Sequence, residues 1–457
     1  MEEKSKYTKT INWKQFYRNV FALVIPIAIQ NLINVGVTAT DVIMLGKVGE
    51  KVLSGASLAG QIQYIMTLIF YGVTSGATVL TAQYWGKKDT RTIEKVLGMG
   101  LSAGLIVAVV FAGAALGMPE TLMRIYTSDP EVIAEGVKYL RIVGFSYVFM
   151  AVTQVYLNIM RSIERVMVAT FIYLISLLMN IVVNAVLIFG LLGFPVMGVR
   201  GAAVATVLSR YVEACIVLSW THKHTEKNIF AQGLYSTLKV PANLTKKILI
   251  KGTPLLLNET LWAAGVAMLT QCYSVRGLNV VAGLNISNTI NNVFNIVFIA
   301  LGDSVAIVVG QLLGAGKMKE ARDTDNKMIA FSVFCCTCVA AVMFVMAPLF
   351  PRLYNTNVEA RTLAKYFIMI TAFFMPQNAF LHATYFTLRS GGKTIVTFLF
   401  DSVFIWVVSV TIAFTLSRFT GLPVLVIYAM VQAADMMKCV IGFILVKKGV
   451  WLQNIVS

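Results

Sequence analysis

Asp41 is the single carboxylate in residues 34–49, NVGVTATDVIMLGKVG, and the chain before it is largely apolar back to Phe21. On a helix it shares a face with Thr38 and Asn34, three and seven positions back. Such a carboxylate is either a solvated group at a helix end or a ligand for a cation. The first placement is unfavourable by itself, because a negative charge at a helix C-terminus opposes the macrodipole. Asn180 and Asn184, one turn apart in SLLMNIVVNAVLIFG, put two amides on one face of an otherwise apolar segment. Amides in that setting commonly hydrogen-bond to neighbouring helices. Beside a carboxylate they would also form a hard-oxygen set suited to a small cation.

The second half of the chain has its own polar groups. Asn258 and Glu259 open NETLWAAG shortly after Pro254. FFMPQNAFLHATYF holds Pro376, Asn378 and His382; the proline frees a backbone carbonyl, and Asn378 and His382 stand one turn apart. An imidazole there either titrates near neutral pH or bonds a neighbour. Arg210 with Glu213, and Asp435 with Lys438, are three apart and are expected to neutralise each other as structural pairs. Asp303 and Asp401 have no partner in sequence.

No catalytic residue is expected. LRSGGKT ends like a phosphate loop, but the position of its first glycine is Thr387; HExxH does not occur, and GLSAG at 100–104 lies inside a helix-length apolar stretch and forms no nucleophile elbow. The six cysteines fall mostly in apolar runs, and CCTC at 335–338 has no histidine nearby, so they read as small buried hydrophobes. His222 and His224, in THKHT, read as solvated.

The elements that must position these groups are set by composition. The chain is 58% hydrophobic and 13% charged, whereas a soluble domain carries about 25% charged residues. Too little charge remains to solvate a globular surface, which points to a polytopic membrane protein. Apolar stretches recur at about 20–45, 53–80, 96–117, 137–159, 168–190, 200–220, 252–275, 283–310, 328–348, 363–388, 394–416 and 424–446. Twelve helix-length spans follow, all-α, since barrel strands would be about ten residues with alternation. The first is too long for a signal-peptide core and is read as retained.

Lys and Arg orient the spans. With the N-terminus inside, 25 of the 38 fall in inner segments and 11 in outer ones. Both termini are therefore expected in the cytoplasm, on a multi-pass cell-membrane protein. The same bias accounts for the net charge of +17 without nucleic acid. The expected organisation is a tail at 1–19, six spans at 20–220, a basic linker at 221–251, six spans at 252–446 and a tail at 447–457.

A shift of 228 residues aligns the halves without a gap over 26–162. Pro26 meets Pro254, Gly55 meets Gly283, Gln83 meets Gln311, Gly86 meets Gly314, and Arg161-Ser162 meets Arg389-Ser390. Gln154 meets His382, and Arg210 meets Lys438. Two halves of equal sidedness form a parallel repeat, the plan of carriers whose halves rock about a central site.

TDVIMLGKVG, GVTSGATVLTAQYWGKKD and its partner VAIVVGQLLGAGKMKEA resemble the multidrug and toxic compound extrusion (MATE) family over the whole chain. The resemblance implies two pseudo-symmetric six-helix lobes and a monomeric antiporter in the lipid bilayer, exporting cationic, amphipathic organic compounds in exchange for Na⁺ or H⁺. It implies no cofactor beyond that ion. The family's N-lobe cation site joins an acid on helix one to polar residues on helix five. Asp41, Asn180 and Asn184 match that pattern, with Thr38 and Asn34 beside them, and would be the metal ligands if the ion is Na⁺. Some DinF-like members have a second acid where this chain has Asn184. Many NorM-like members place a glutamate about one turn beyond Glu259, and an acid on the helix that here carries His382. Glu259, Asn258, Gln154, His382 and Asn378 are the expected substrate contacts, and Pro26, Pro254 and Pro376 the expected hinges. A lipid-linked precursor flippase of the same superfamily is the alternative.

Overall fold

The computed structural model describes residues 13–226, 228, 230, 242–354 and 356–456. The first twelve residues of the expected N-terminal tail lie outside the described residues. So do positions 227, 229 and 231–241 of the expected linker.

The described chain is a bundle of helices. In the N-lobe they are α1 (Trp13–Val48), α2 (Glu50–Gly86), α3 (Thr90–Gly117), the short α4 (Pro119–Arg124), α5 (Pro130–Val143), α6 (Ser146–Ser162), α7 (Val166–Phe189) and α8 (Val199–Lys223). In the C-lobe they are α9 (Ala242–Ser274), α10 (Leu278–Gly314), α11 (Met318–Met346), α12 (Val358–Ser390), α13 (Thr394–Phe398), α14 (Thr411–Phe419) and α15 (Val424–Lys448). Two π-helical stretches, Leu399–Val403 and Ile405–Val410, join α13 to α14 into one continuous rod. α5 and α6 meet at a 56° bend and together make one crossing. Counted so, the fold has the twelve expected spans.

Among the described residues, nine helices are individually long and apolar enough to cross a membrane, and the bent pair is a tenth. The other two crossings, α9 and α12, are 33 residues each but less apolar. Within their apolar stretches α9 carries Asn258 and Glu259, and α12 carries Gln377, Asn378 and His382, which lower their hydropathy.

The repeat is visible in the helix ends. Shifting α2 by 228 residues gives α10 end for end. The helix-starting caps correspond as well: Asp129 accepts from the backbone N–H of Glu131, and Asn357 from that of Ala360. Each satisfies a donor that the first helical turn leaves free. One difference breaks the symmetry. The break between α5 and α6 has no counterpart in α12, which is one unbroken helix through the matching positions.

The lobes pack closest where α2 crosses α9 and α10. A Cβ on Gly86 would lie 1.9 Å from the Gln311 carbonyl oxygen, and one on Gly314 would lie 1.9 Å from that of Gln83. Gly76 faces Gly252 in the same way, with a Cβ only 3.0 Å from its backbone. Only glycine permits backbones so close. Val20, Leu23, Val24 and Ile27 of α1 belong to a core cluster built mainly from α10, α11 and α12, so α1 also spans the seam.

Candidate functional site

The N-lobe site is assembled from α1 and α7, at the end of the bundle opposite the glycine crossing. Asn184 Nδ2 donates to Asp41 Oδ1 at 2.6 Å and to Asn180 Oδ1 at 3.0 Å. Asn180 and Asn184 are buried, and Asp41 is half-buried. The apolar positions around them pack α7 against its neighbours, and this fixes the face on which the two amides project. Asn184 Oδ1 is buried with no hydrogen-bond donor. An unpaired buried acceptor is costly, and here it stands beside a carboxylate.

Arg210 Nη1 donates to Glu213 Oε2 at 2.7 Å, and Ser176 Oγ donates to the same oxygen at 3.0 Å. Arg210 and Glu213 cancel, as their spacing suggested. Asp41 is left without a basic side chain bonded to it in this group. Tyr139, bonded to Thr206, lies within electrostatic range of Asp41; nothing in the sequence pattern had singled it out.

Thr38 and Asn34 do not join this hydrogen-bonded set. Thr38 Oγ1 donates to the Asn34 carbonyl of its own helix, and both residues are on the exposed face of α1.

The C-lobe polar cluster is larger and carries both signs of charge. Asn258 Nδ2 is 3.3 Å from both Tyr385 Oη and Asp401 Oδ2, and its Oδ1 accepts from Ser402 Oγ at 2.8 Å. Tyr385 Oη donates to Glu259 Oε1 at 3.3 Å. Lys438 Nζ donates to Asp401 Oδ1 at 2.5 Å, with its ammonium over the ring of Phe400. This corrects the expected pairing of Lys438 with Asp435: the lysine reaches across to Asp401. The cause is local geometry. Asp401 lies in a π-helical stretch, whose wider turn displaces side chains from the α-helical register.

The remaining expected substrate contacts divide between the lobes. His382 is half-buried among Phe298, Phe386 and Tyr385 and stands close to Gly302, where only the absence of a Cβ leaves room for the ring. Gln154 belongs to the N-lobe, hydrogen-bonded to Tyr173. Asn378 is half-buried, one turn before His382. The prolines are all internal to long helices, Pro26 in α1, Pro254 in α9 and Pro376 in α12.

A third set of polar residues links the lobes. Gln30, fully buried on α1, donates through Nε2 to the Val166 carbonyl and to Thr170 Oγ1, and Thr170 Oγ1 in turn donates to the Pro26 carbonyl. Arg161 donates to Gln30 Oε1 at 2.9 Å and pairs with Asp303 of the C-lobe at 3.6 Å. The repeat mate Arg389 crosses the other way, donating to Tyr71 Oη at 2.9 Å. Gln83 donates to the Ser390 carbonyl at 2.8 Å, and its mate Gln311 to the Ser162 carbonyl at 3.0 Å. Two pseudo-symmetric pairs of bonds therefore hold the lobes together. The sequence signal for them is the matching of Arg161 with Arg389 and of Gln83 with Gln311 under the 228-residue shift.

The family model described as MatE matches the chain twice, over residues 26–186 and 254–429, starting at the two prolines that the repeat superposes. This chain belongs to the MatE family. Among curated relatives, the probable multidrug resistance protein YoeA of Bacillus subtilis is 23% identical over 425 residues, covering 92% of this chain and 90% of that protein. The probable multidrug resistance protein NorM of Thermotoga maritima is 24% identical over 414 residues, covering 89% and 87%. Among solved structures, the outward-facing conformation of a multidrug resistance MATE family transporter of the MOP superfamily superposes with a TM-score of 0.86 at 18% identity, covering 95% of this chain and 96% of that one. A MOP superfamily transporter from Pyrococcus furiosus does so at 0.85, with the same identity and coverage. At such identities the MatE likeness in structure establishes the twelve-helix fold.

Proposed function

We propose that this MatE protein is a secondary antiporter that exports cationic, amphipathic organic compounds in exchange for Na⁺ or H⁺, working by alternating access as a monomer in the cell membrane. The lysine and arginine bias supports cytoplasmic termini, with the glycine crossing on the cytoplasmic side. The observation that carries the reading is the Asp41–Asn184–Asn180 cluster with its unpaired amide oxygen. The curated relatives named for multidrug resistance support the substrate class.

The steps follow from charge. A cation entering from outside neutralises Asp41 and is met by the oxygens of Asn180 and Asn184. With the counter-charge gone, a positively charged compound bound between the lobes loses affinity and leaves. New substrate binds from the cytoplasmic side after the ion has been released inward. Ion and compound must weaken each other's binding reciprocally. Glu259 and Asn258, bonded to Tyr385 and Asp401, are the C-lobe groups available to a cationic compound.

The test is efflux of a cationic dye from vesicles under separate sodium and proton gradients. Wild type should respond to one gradient, and Asp41→Asn to neither. Ion-dependent efflux that persists in Asp41→Asn would assign coupling to another site.

A further inference from the structure

Residues 449–456 follow α15 and take no part in the transport steps above. They would be expected to extend away from the bundle as a tail. Instead they lie across the seam between the lobes, anchored at both ends. At the C-lobe end, Trp451 is fully buried in the cluster built mainly from α10, α11 and α12. Its indole N–H donates to the Val446 carbonyl at 3.2 Å. Its own carbonyl oxygen rests on Gly391, where a Cβ would lie 1.9 Å away. Asn454 Nδ2 adds a bond to the Gly314 carbonyl at 3.2 Å.

The N-lobe end is held differently. Gln83 uses its whole side-chain amide here: Oε1 accepts from the backbone N–H of Ile455 at 2.9 Å, and Nε2 donates to the Gln453 carbonyl at 3.2 Å as well as to Ser390. Lys87 Nζ donates to the Val456 carbonyl at 2.7 Å. Val456 is buried in the cluster built mainly from α2, α3, α6 and α7, with Ile455 packed against it. Eight residues thus end in two different cores.

Among the described residues this arrangement is one-sided. Gln311, the mate of Gln83, bonds Ser162 in the same way, but its further neighbour is the carboxylate of Glu164. The N-lobe counterpart of 449–456 is the start of the linker. The chain therefore adds a lock on one side of a two-fold seam that the symmetry alone would not supply.

We infer that residues 449–456 are a strap that holds the lobes closed at the glycine crossing and must leave Gln83 and Lys87 before that end can open. Release occurs at the N-lobe end. There the strap is held by three backbone hydrogen bonds and a short apolar contact, whereas Trp451 is sunk in the C-lobe core and travels with it. A hydrogen bond of this kind shifts an equilibrium by roughly two- to tenfold, so losing the set moves the closed state towards open by well over tenfold. Calling that end cytoplasmic rests on the proposed transport reading; the strap itself does not.

The experiment reads distance without requiring transport. Spin labels are placed at the repeat-related, exposed positions Arg91→Cys and Lys319→Cys, in a full-length chain whose six native cysteines are replaced, and the protein is reconstituted in nanodiscs. Two variants are compared with the unaltered strap: a stop at position 454, and Ile455→Pro, which removes the N–H given to Gln83 while keeping the length. The stop should raise the long-distance population at least about fivefold, and Ile455→Pro at least about twofold. In the same background, with the labels attached through reduction-stable thioether bonds after the Lys87→Cys and Val456→Cys pair has been oxidised, the disulfide should suppress that population, and its reduction should restore it. Unchanged distances in both strap variants, or a long-distance population unaffected by the cross-link, would overturn the strap. If the distances shift while no ion-driven efflux is found in wild type, the antiport reading fails and the strap stands.

Discussion

Alanine at Gly86 should force the lobes apart at their crossing. The added Cβ would lie 1.9 Å from the Gln311 carbonyl oxygen, 2.7 Å from its carbon and 3.0 Å from its Cα. These are backbone atoms, which cannot rotate out of the way as a side chain would. Ordinary contact begins at about 3.4 Å, so α2 and α10 must separate by about 1.5 Å before the methyl fits. That displacement breaks the 2.8 Å bond from Gln83 to Ser390 and the 3.0 Å bond from Gln311 to Ser162, since hydrogen bonds fail beyond about 3.5 Å. Overpacking of a tight contact costs about 1–3 kcal/mol. A backbone clash belongs near the upper figure, and about 3 kcal/mol against the closed state alters its population ratio by roughly a hundredfold. Gly314→Ala should do the same, because a Cβ there meets the Gln83 carbonyl at the same 1.9 Å. Gly60→Ala should be silent, having no atom within 4 Å of its Cβ position. Spin-label distances between Arg91→Cys and Lys319→Cys give the readout. A closed-state distance that survives both Gly86→Ala and Gly314→Ala would refute the reasoning.

Four more outcomes follow from the polar clusters. Asn184→Ala removes both the donor to Asp41 and the unpaired oxygen, so the ion concentration for half-maximal efflux should rise about tenfold, the scale of one charge-assisted bond; Asn184→Asp should raise the number of cations exchanged by one, seen in the voltage dependence of efflux. Lys438→Gln strands the Asp401 carboxylate and should lower stability by about 3 kcal/mol, measured by thermal melting in detergent, whereas Lys438→Gln with Asp401→Asn should recover most of that loss.

What the sequence made legible follows the range of each signal. Hydropathy acts over about twenty residues, and all twelve expected spans coincide with helical crossings. The pairing of Asp41 with Asn184 joins residues 143 apart in the chain; the family pattern named both, and neither spacing nor periodicity could have joined them. The Asp435–Lys438 expectation failed for a specific reason. Spacing of three marks neighbours on one helix, but it is blind to a carboxylate presented from another helix by a π-helical turn. Asp303 had no partner in sequence because its partner, Arg161, lies in the opposite lobe. Residues 449–456 look like an ordinary tail by composition; their function lies in backbone groups, N–H and carbonyl, which side-chain patterns do not report.

The central claim is that one cation at Asp41 competes with substrate, and the most direct test is the number of cations released when substrate binds. Purified protein in weakly buffered, sodium-containing solution is mixed with a saturating cationic dye, and released H⁺ and Na⁺ are counted per protein. The account predicts that wild type releases one more cation per dye than Asp41→Asn does, with dye affinity in wild type falling as the ion concentration rises. Equal release from the two proteins, or dye affinity in wild type indifferent to the ion, would contradict it.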